Sequence, residues 1–568
     1  MGRRTTSKPP WIKRSRMTAP RRTACTGARR GAKAKPKPQG AAGVSVTASP
    51  KHGTGRPPRR EPKALDAPTE SGATALAAEV RLGRREVIGI IGGLALAMFL
   101  GALNQTVVAT ALPTIGRAFD DFENLSWVVI SYLLTSTLVA PLYGKLSDIY
   151  GRRGMMLVAL GVFMAGSAAS AVAPSMLMLI LARGLQGLGG GGIVPLTQSI
   201  IADAVPPRER GYYQAYTGSV WVIAGAGGPV LGGVIADHLH WSLIFWLNVP
   251  IAIVAALLSQ RQLKRLPQHE RAHKIDVTGA GLMMLSALTL LLALTWGGTR
   301  YPWLSEQIIV LIVLAAVLTA IFIWWVLHVS EPFLPLAVLL NPVMRFGTLT
   351  TACTQGVNIG LTIFVPLYYE LVHGLSASDS GLALIPIVMM TTPGSYLSGR
   401  AMLYLDRYKW VPLLLLSLAT AALFALVFYP LMPVWAVAFV MCLVGMGTGS
   451  SYPVVTVSIQ NAVSHHQIGV AMGAMNFFRA LASAFVVAVM GAIMLAHLGA
   501  APERGAGAAA AIVTVANNAT GAVLAHVFSI IFAVAAGFLL IGIVTLVLME
   551  ERPLRTTIRA MPAREPER

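Results

Sequence analysis

Cysteine and ionisable residues are scarce in this chain of 568 residues. The three cysteines, Cys25, Cys353 and Cys442, are too widely spaced to form a metal-ligand motif. We therefore expect no structural disulfide, no metal site and no cofactor. Charged residues make up 12% of the chain against 55% hydrophobic residues, and the mean hydropathy is +0.64. This balance excludes a soluble globular protein and predicts a polytopic membrane protein.

Acidic residues are also few, and the imbalance is concentrated near the start of the chain. The formal net charge is +21, and residues 1–86 contribute +16 of it, from 21 Lys and Arg against 5 Asp and Glu. These residues contain too little apolar surface to offset the entropy of ordering, so we predict a basic disordered tail. Besides an inert tail, three roles stay open: an arm on anionic lipid headgroups, a targeting segment, or translated sequence upstream of the true start.

A nucleotide-binding loop of the form Gly-x-x-x-x-Gly-Lys-Ser/Thr is missing from the sequence. The glycines at 189–192 lie inside an apolar run, where they cannot cradle a phosphate. We therefore expect neither an ATP-driven pump nor another enzyme, and any transport must draw on an ion gradient.

Long apolar runs recur from Val87 onward, each long enough to cross a membrane core of about 30 Å. Their number predicts fourteen transmembrane helices, which excludes a nucleic-acid-binding protein as the main function and makes membrane lipids a partner. The predicted helices are 87–112, 125–143, 155–173, 176–201, 212–236, 241–259, 277–296, 307–328, 346–369, 380–398, 411–429, 433–456, 468–495 and 523–549.

The cations between these runs predict the orientation. If the N-terminus is cytoplasmic, fourteen Lys and Arg fall in cytoplasmic loops and three, Arg117, Arg300 and Arg504, fall in the opposite loops. Cytoplasmic loops of membrane proteins carry the excess of positive charge. We therefore predict a multi-pass protein of the inner or plasma membrane with both termini in the cytoplasm. The loop over 496–522 is the longest external one.

A polar turn separates the second and third runs. It reads Gly144-Lys145-Leu146-Ser147-Asp148-Ile149-Tyr150-Gly151-Arg152-Arg153. The glycines let two helices approach closely, Asp148 suits a neighbouring helix N-terminus, and the cations resist entering the bilayer. The segment from Gly399-Arg400 to Arg407-Tyr408-Lys409 is a weaker second copy, which indicates an internal repeat.

The fifth run is rich in glycine and contains a central proline. Gly228-Pro229 and Gly232-Gly233 predict a kink and a close approach to neighbouring helices. Packing glycines of this kind also occur in membrane helices without a specific function.

These motifs resemble the major facilitator superfamily of transporters. The turn at 144–153 resembles its loop signature, and the fifth-helix pattern resembles its antiporter motif, which favours export over uptake. The end of the first helix, Leu103–Ile115, is similar to that of the fourteen-helix drug:proton antiporters, the EmrB/QacA-type branch. Further matches are Ala202-Asp203, Val205–Gly211, Ile244–Pro250, Lys274–Asp276 with Gly279, Trp296–Gly298, Tyr301–Trp303, Pro366–Tyr369 and Glu551–Arg555.

The resemblance implies an all-α integral membrane protein with the major facilitator fold, two six-helix bundles plus two inserted helices. Substrate would bind between the bundles near the bilayer midplane. The predicted divisions are a tail over 1–86, the first bundle over 87–259, a cytoplasmic linker with the inserted helices over 260–345, the second bundle over 346–549 and a cytoplasmic tail over 550–568.

Ionisable side chains inside the helices are the candidate coupling residues, because such groups are costly in a membrane. Arg183 opens a motif that resembles one whose arginine takes part in proton transfer; the alternative is a structural arginine bonded to backbone carbonyls. The first-helix motif usually has Asp at the position of Asn104, and an amide cannot carry a proton. Either coupling has moved to another acid, for which Glu370 is the candidate, or Asn104 hydrogen-bonds substrate or Arg183. Glu370 has the alternative of being a solvated residue at a helix end.

The remaining polar candidates have weaker assignments. We expect Asp203 to join Arg208 and Arg210, whereas Arg479 either balances a carboxylate or faces a cytoplasmic cavity. The pair His465-His466 is a possible metal or pH site but more simply a solvated pair. The candidates for a substrate cavity are Gln355, Asn358 and Gln460.

Together these features predict a proton-coupled secondary active exporter of amphipathic or cationic drugs and toxic compounds. Lys145, Asp148, Arg152 and Arg153 would latch the cytoplasmic side. Two alternatives stay open: an exporter of a single endogenous metabolite, such as a siderophore, amino acid or lipid precursor, and a non-transporting membrane sensor or scaffold. The expected partners are small-molecule substrates and protons, with an adaptor and outer-membrane channel if the source is a Gram-negative bacterium.

Overall fold

The computed structural model describes residues 83–265, 276–298, 300–498 and 521–554. Residues 1–82 of the predicted basic tail, the centre of the 496–522 loop and most of the C-terminal tail lie outside these residues, whereas residues 84–86 belong to the first helix. The described backbone is mostly helical, with fourteen helices of 19 residues or more. They are α1 Arg84–Phe119, α2 Leu125–Tyr150, α3 Arg152–Ala171, α4 Met176–Ala204, α5 Pro207–His238, α6 Leu243–Gln262, α7 Val277–Trp296, α8 Glu306–His328, α9 Pro342–His373, α10 Ile385–Tyr404, α11 Trp410–Phe428, α12 Val434–Ala462, α13 Ile468–Leu498 and α14 Gly521–Leu548.

Thirteen of these helices are long and apolar enough to cross a membrane, which confirms the predicted multi-pass class. The helix outside this set is α9, which is 32 residues long but more polar. Its threonines Thr350, Thr351 and Thr354 are buried and hydrogen-bonded within the protein. Hydroxyls satisfied in this way can lie at membrane depth without facing lipid.

The helices pack as two bundles of six, as the family resemblance predicts. Helices α1 to α6 pack among themselves, and so do α9 to α14. Helices α7 and α8 pack mainly against each other, and α7 also touches α2 and α13. They are therefore the inserted pair.

The two bundles contact each other through equivalent helices. Helix α2, the second of its bundle, packs against α13, the fifth of the other, and α5 packs against α10 in the same relationship. This exchange is the pseudo-symmetry that the internal repeat indicates. It places the two copies of the polar turn at one end of the molecule, which we call the basic end and which contains the loops that follow α2, α4, α10 and α12.

Several helices extend beyond their apolar runs. Helix α1 continues through Pro113 to Phe119, and α2 continues to Tyr150, where the sequence predicts ends at 112 and 143. The polar turn is therefore largely helical, and the chain reverses at Gly151, whose φ of 87° favours glycine. The length of an apolar run corresponds to the thickness of the membrane core, so a helix can continue beyond the run through polar residues.

Candidate functional site

Arg183 lies on α4 in the core of the first bundle, with 1% of its surface exposed. Its Nε donates to the backbone oxygen of Val128 at 3.0 Å, and its Nη1 donates to Oδ1 of Asn104 at 3.1 Å and to Oε1 of Gln186 at 2.5 Å. Its guanidinium lies 4.5 Å from the ring centroid of Tyr132. Four groups therefore fix one buried cation.

Asn104, on α1, is the acceptor at the centre of this cluster. Its Oδ1 also accepts from Nε2 of Gln186 at 3.2 Å and from Nδ2 of Asn248 at 3.4 Å. Asn248, on α6, donates in addition to the hydroxyl of Ser167 on α3. Helices α4 and α6 thus converge on one amide oxygen of α1, and α3 joins through Asn248. Nδ2 of Asn104 is buried and has no hydrogen-bond partner among the described residues.

The cluster around Arg183 holds a cation without a carboxylate. Every hydrogen-bonding partner of Arg183 within the described ranges is an amide or a backbone carbonyl, and its ring partners, Tyr132 and Phe245, are aromatic. Guanidinium stays charged in proteins, and an amide does not exchange protons near neutral pH. The cluster can position a charge, but Asn104 cannot carry a proton there.

The contact between α2 and α13 at the basic end depends on Asp148. Its Oδ1 accepts the backbone N–H of Gly469 at 3.1 Å, and its Oδ2 accepts that of Val470 at 2.8 Å. A carboxylate at the start of a helix satisfies free N–H groups and complements the helix dipole. Asp148 therefore lies against a helix N-terminus, as its sequence context predicts, and that helix belongs to the other bundle.

Arg152 connects Asp148 to α4. Its Nη1 lies 2.5 Å from Oδ1 of Asp148, and its Nε lies 3.0 Å from Oδ2 of Asp203. Nε2 of His465, in the loop before α13, lies 3.5 Å from Oδ1 of Asp203. The second bundle therefore contacts both acids of this network.

Within the described ranges, neither Arg208 nor Arg210 forms a side-chain hydrogen bond with Asp203; both donate to backbone oxygens instead. Arg210 donates to the backbone oxygens of Val205 and Ala202, and Arg208 donates to the backbone oxygen of Leu403. Asp203 forms its ion pair with Arg152 and also interacts electrostatically with Arg210, so the expected network forms in part.

Glycines bring α2 and α13 into backbone contact beside this network. A Cβ added to Gly144 would overlap the carbonyl oxygen of Gly469, and one added to Gly473 would lie 2.7 Å from the carbonyl oxygen of Ala140. Larger residues would force the helices apart. The glycines of the polar turn and of α13 therefore allow the basic end to close.

The equivalent contact between α5 and α10 has glycines but no matching carboxylate. A Cβ on Gly399 would overlap the carbonyl oxygen of Gly211. Here Nε of Arg208, at the start of α5, donates to the backbone oxygen of Leu403 at 3.0 Å, and its Nη2 lies 3.6 Å from the exposed Asp406. The weaker second copy of the turn thus closes its side of the molecule with a cation and a backbone carbonyl.

Lys409, the last residue of the second copy, binds the end of α14. Its Nζ donates to the backbone oxygens of Val547, at 3.1 Å, and Met549. Burial lowers the pKa of the Lys409 ammonium, and nearby Glu551 opposes that shift. A cation at a helix C-terminus complements the helix dipole, so this residue stabilises the basic end of the second bundle.

A bridge between the bundles that sequence reasoning missed is centred on Gln198 of α4. Its Nε2 donates to the hydroxyl of Tyr452 on α12, and its Oε1 accepts from Nδ2 of Asn476 on α13 at 2.6 Å. Its backbone oxygen accepts from Nε2 of Gln460 at 3.1 Å. The available signal was a glutamine near the polar end of an apolar run, which many packing amides share.

The other polar candidates occupy different places. Gln460 is buried in the bridge just described, whereas Gln355 is half-buried on α9 and Asn358 donates to Thr448 at 3.1 Å. Arg479 donates to Oδ1 of Asn476 at 3.0 Å, and its Nε is buried without a partner in the described part of the chain.

The charged candidates Lys145, Arg153 and Glu370 are half-buried. Glu370 lies near the end of α9, and no described residue forms a hydrogen bond or ion pair with its side chain. It is not among the groups that contact Arg183.

The antiporter-like pattern of α5 faces α1. A Cβ on Gly228 would overlap Thr106, and one on Gly232 would overlap Thr110. The hydroxyl of Thr106 donates to the backbone oxygen of Ala224 at 3.0 Å. Pro229 lies within the continuous helix, and a Cβ on Gly233 would meet open space. Two of the three glycines in the pattern therefore seal α5 against α1.

Comparisons with known proteins agree with this architecture. Residues 94–487 match the Major Facilitator Superfamily. The Bacillus subtilis "Multidrug transporter protein MdtP" is 32% identical over 411 residues, which cover 72% of this chain and 76% of that protein. "Multidrug resistance protein 3" of the same organism is 31% identical over 408 residues, covering 71% and 79%. The crystal structure of the human organic anion transporter MFSD10 shares the fold, with a TM-score of 0.54 at 18% identity, covering 80% of this chain and 99% of that one.

Proposed function

Since the chain belongs to the Major Facilitator Superfamily, we propose that it exports amphipathic or cationic drugs and toxic compounds in exchange for protons. The names of its two Bacillus subtilis relatives, a multidrug transporter and a multidrug resistance protein, support the cargo class. The glycine pattern of α5 supports export over uptake.

The contact of the two bundles at the basic end is the observation that best supports a transport mechanism. Both bundles meet there through Asp148 with Val470 and through Arg208 with Leu403, and neither contact is covalent. Rocking of the bundles would break these contacts and open a path to a midplane site. In the orientation that we propose, the basic end and both termini are cytoplasmic, because positive loops remain on that side of the inner or plasma membrane.

Lys145, Asp148, Arg152 and Arg153 would then latch the cytoplasmic gate. Opening the gate costs the capping of α13 by Asp148 and the contact of Asp203 with His465, so it needs the binding energy of substrate or a proton. Gly228, Pro229, Gly232 and Gly233 would keep α5 sealed against α1 while the bundles move.

Glu370 is the proton carrier that we propose in place of the missing aspartate. Asp148 and Asp203 are both ion-paired with Arg152, which leaves Glu370 as a half-buried acid with no described partner. Arg183 and Asn104 would hold the centre of the first bundle, and the charge of Arg183 would bias the binding of protons or cargo. Gln355 and Asn358 would contribute to the cavity on the α9 side.

The second candidate function is export of a single endogenous metabolite. It is favoured by the neutral surroundings of Arg183, because a buried cation without a carboxylate suits cargo with an acidic group better than a lipophilic cation.

Transport in proteoliposomes with an imposed pH gradient tests these proposals. We expect wild type to move a fluorescent lipophilic cation with the gradient, and Glu370→Gln to lose at least about 90% of that rate because a general proton carrier is removed. The matched control is Glu123→Gln, which changes an exposed glutamate in the loop between α1 and α2 and should leave the rate unchanged.

Two results would contradict the proposal. A wild-type protein that moves no cation with the gradient, but moves a carboxylate-bearing metabolite, would replace drug export by the second candidate. Full gradient-driven activity in Glu370→Gln would remove Glu370 as the carrier.

A further inference from the structure

A groove follows the junction of α5 and α10, one of the two places where the bundles meet. A cavity of about 300 Å³ opens there. It is lined by Ala215, Tyr216 and Ser219 of α5 and by Thr392, Pro393 and Tyr396 of α10. Its wall is therefore formed by both bundles.

The groove opens toward lipid. On α5 the exposed residues that continue its line are apolar, with Ile223 62% exposed and Val230 67% exposed. On α10 the neighbouring Leu397 is 44% exposed. Side chains of this kind on a transmembrane helix face the bilayer, so the groove lies between lipid and the contact of the two bundles.

Tyrosines form the lining of the groove nearer to the basic end. The rings of Tyr212 and Tyr216 lie 5.0 Å apart with their hydroxyls 2.7 Å apart, and the rings of Tyr212 and Tyr396 lie 6.2 Å apart. Tyrosine is enriched where a membrane meets water, because the ring is apolar and the hydroxyl is polar. The ring cluster marks the depth at which lipid headgroups end and acyl chains begin.

Arg400 lies at the mouth of the groove. Its Nη1 donates to the hydroxyl of Tyr396 at 2.9 Å, and its guanidinium lies 5.8 Å from the ring centroid of Tyr404. It is exposed and has no carboxylate partner in the ranges that the structure describes. An arginine held by two tyrosines at this depth presents its remaining donors to an oxyanion.

A second cavity of about 290 Å³ lies beside this mouth, at the basic end. It is lined by Pro206, Arg208, Glu209, Leu403 and Tyr404. Tyr404 joins the two features, because it borders the second cavity and contacts Arg400. The pair of cavities thus combines an apolar slot with a polar chamber that contains Arg208.

We infer that this groove binds a membrane phospholipid of the leaflet at the basic end, with its phosphate between Arg400 and Arg208 and one acyl chain in the slot between α5 and α10. The distance along α10 from Arg400 to Thr392 is about 12 Å, enough to accept the upper part of an acyl chain. Glu209 and Asp406 offset part of the positive charge, so Arg400 is the principal phosphate ligand.

A lipid at this position would affect closure of the basic end. The slot lies beside the backbone contact of Gly211 with Gly399, which closes that side of the molecule. An acyl chain packed against both helices stabilises the arrangement in which they touch. The inference depends on the membrane location and not on the identity of the transported compound.

Photolabelling of the full-length protein in liposomes tests the inference. The probe is phosphatidylglycerol with a diazirine in its acyl chain, and the labelled peptides are identified by mass spectrometry. We expect label on residues 212–219 and 392–396 above the level on α8, whose exposed face contacts bulk lipid. Arg400→Gln should reduce the groove label about fivefold, the effect expected for one basic residue at a membrane surface.

The matched control is Arg345→Gln. Arg345 is an exposed arginine in the first turn of α9, 4.6 Å from the ring of Phe346, and lies away from the groove. Its substitution should leave the groove label unchanged. A diacylglycerol probe with the same diazirine chain has no phosphate. It should label the groove of the wild-type protein about as weakly as phosphatidylglycerol labels the groove of Arg400→Gln.

Three outcomes would overturn the inference. Equal label on α8 and on the groove would mean that the groove holds no resident lipid. Equal label from diacylglycerol and phosphatidylglycerol would eliminate the phosphate contact. Displacement of the label by a lipophilic cation, without an effect of Arg400→Gln, would assign the groove to cargo. Each result is read from labelled peptides, so a failure of the proposed drug export would not alter it.

Discussion

Oδ2 of Asp148 accepts the backbone N–H of Val470 at 2.8 Å, and this bond crosses from the first bundle to the second. Helix α13 therefore receives its N-terminal cap from another bundle. A helix capped in this way has satisfied N–H groups only while the bundles touch at the basic end. In the gate that we propose, closing and completion of the α13 N-terminus are thus one event, and Arg152 holds the same carboxylate by an ion pair.

Asp148→Asn should weaken the contact between α2 and α13 without adding steric bulk. The amide keeps the shape of the side chain but loses the charge, the ion pair with Arg152 and one acceptor. Hydrogen bonds to charged groups contribute about 1.5–3 kcal/mol, so we expect amide hydrogen exchange at Gly469 and Val470 to accelerate about tenfold or more. Hydrogen exchange with mass spectrometry on the 468–475 peptide measures it.

Asp406→Asn is the matched control for that exchange experiment. Asp406 lies at the equivalent end of α10, but its side chain is 97% exposed and 3.6 Å from Arg208. Exposed ion pairs contribute about 0–1 kcal/mol, so exchange at the start of α5 should change by less than about fivefold. Equal effects of the two substitutions would show that Asp148 has no special place in the gate.

Gly144→Ala should prevent close contact of α2 and α13. The new Cβ would lie 2.9 Å from the carbonyl carbon of Gly469 and overlap its oxygen, and backbone atoms cannot move aside without separating the helices. Overpacking of this kind costs about 1–3 kcal/mol. We expect a lower apparent Tm and at least tenfold slower transport in proteoliposomes.

Gly154→Ala provides the control for overpacking, because a Cβ there meets nothing within 4 Å. It should retain both stability and transport. Wild-type Tm and transport in Gly144→Ala would mean that α2 and α13 do not need to touch. A monodisperse elution profile for Gly144→Ala would separate loss of closure from misfolding.

The helices were predictable from the apolar runs. The position of Asp148 beside a helix N-terminus was also predictable, because the glycines around it indicate close helix contact and the cations keep the turn at the membrane surface. The direct ion-pair partner of Asp203 was not predictable, since Arg208 and Arg210 are its neighbours in sequence but its carboxylate pairs with Arg152. Side-chain direction depends on the register of packed helices, which a single sequence does not contain.

The hydrogen bonds of Gln198 to the second bundle were also not predictable from the sequence. Glutamine and asparagine occur in many membrane helices as packing groups. Whether Gln198 bonds within its bundle or across to Tyr452 and Asn476 depends on how deeply α4 approaches α12 and α13. The family resemblance predicted two bundles, but the contacts between them required coordinates.

Asn104→Asp should stabilise the core of the first bundle. A carboxylate there would accept from Arg183, Gln186 and Asn248 as the amide oxygen does, and it would remove the unpartnered Nδ2. It would also pair a buried cation that has no acid beside it. Since hydrogen bonds to charged groups are the stronger ones, we expect a gain of about 1–3 kcal/mol, seen as a higher apparent Tm by tryptophan fluorescence in detergent.

The control is Asn248→Asp, which places a charge 3.4 Å from Oδ1 of Asn104 and beside Ser167, without a cation among the contacts of that side chain. An unpaired buried charge is unfavourable, so the apparent Tm should fall. A fall with both substitutions would mean that Arg183 is already neutralised by its surroundings.

The seal between α5 and α1 predicts different effects for the glycines of one motif. Gly228→Ala and Gly232→Ala should both impair transport, because each Cβ overlaps a threonine of α1, whereas Gly233→Ala should be silent because its Cβ meets nothing within 4 Å. If all three were equally harmful, the motif would act through helix flexibility and not through contact.

Second-site substitutions distinguish the two harmful glycines. At Gly228 the nearest atoms belong to the side chain of Thr106, and the closest backbone atom, the Val107 nitrogen, is 3.3 Å away; at Gly232 the carbonyl oxygen of Val107 is 2.6 Å away. Thr106→Gly should therefore restore transport to Gly228→Ala. The double variant should be less stable by about 1 kcal/mol, because it loses the hydrogen bond to Ala224. Thr110→Gly should not restore Gly232→Ala, because the backbone overlap remains. Rescue of both, or of neither, measured as proteoliposome efflux, would contradict a contact-based seal.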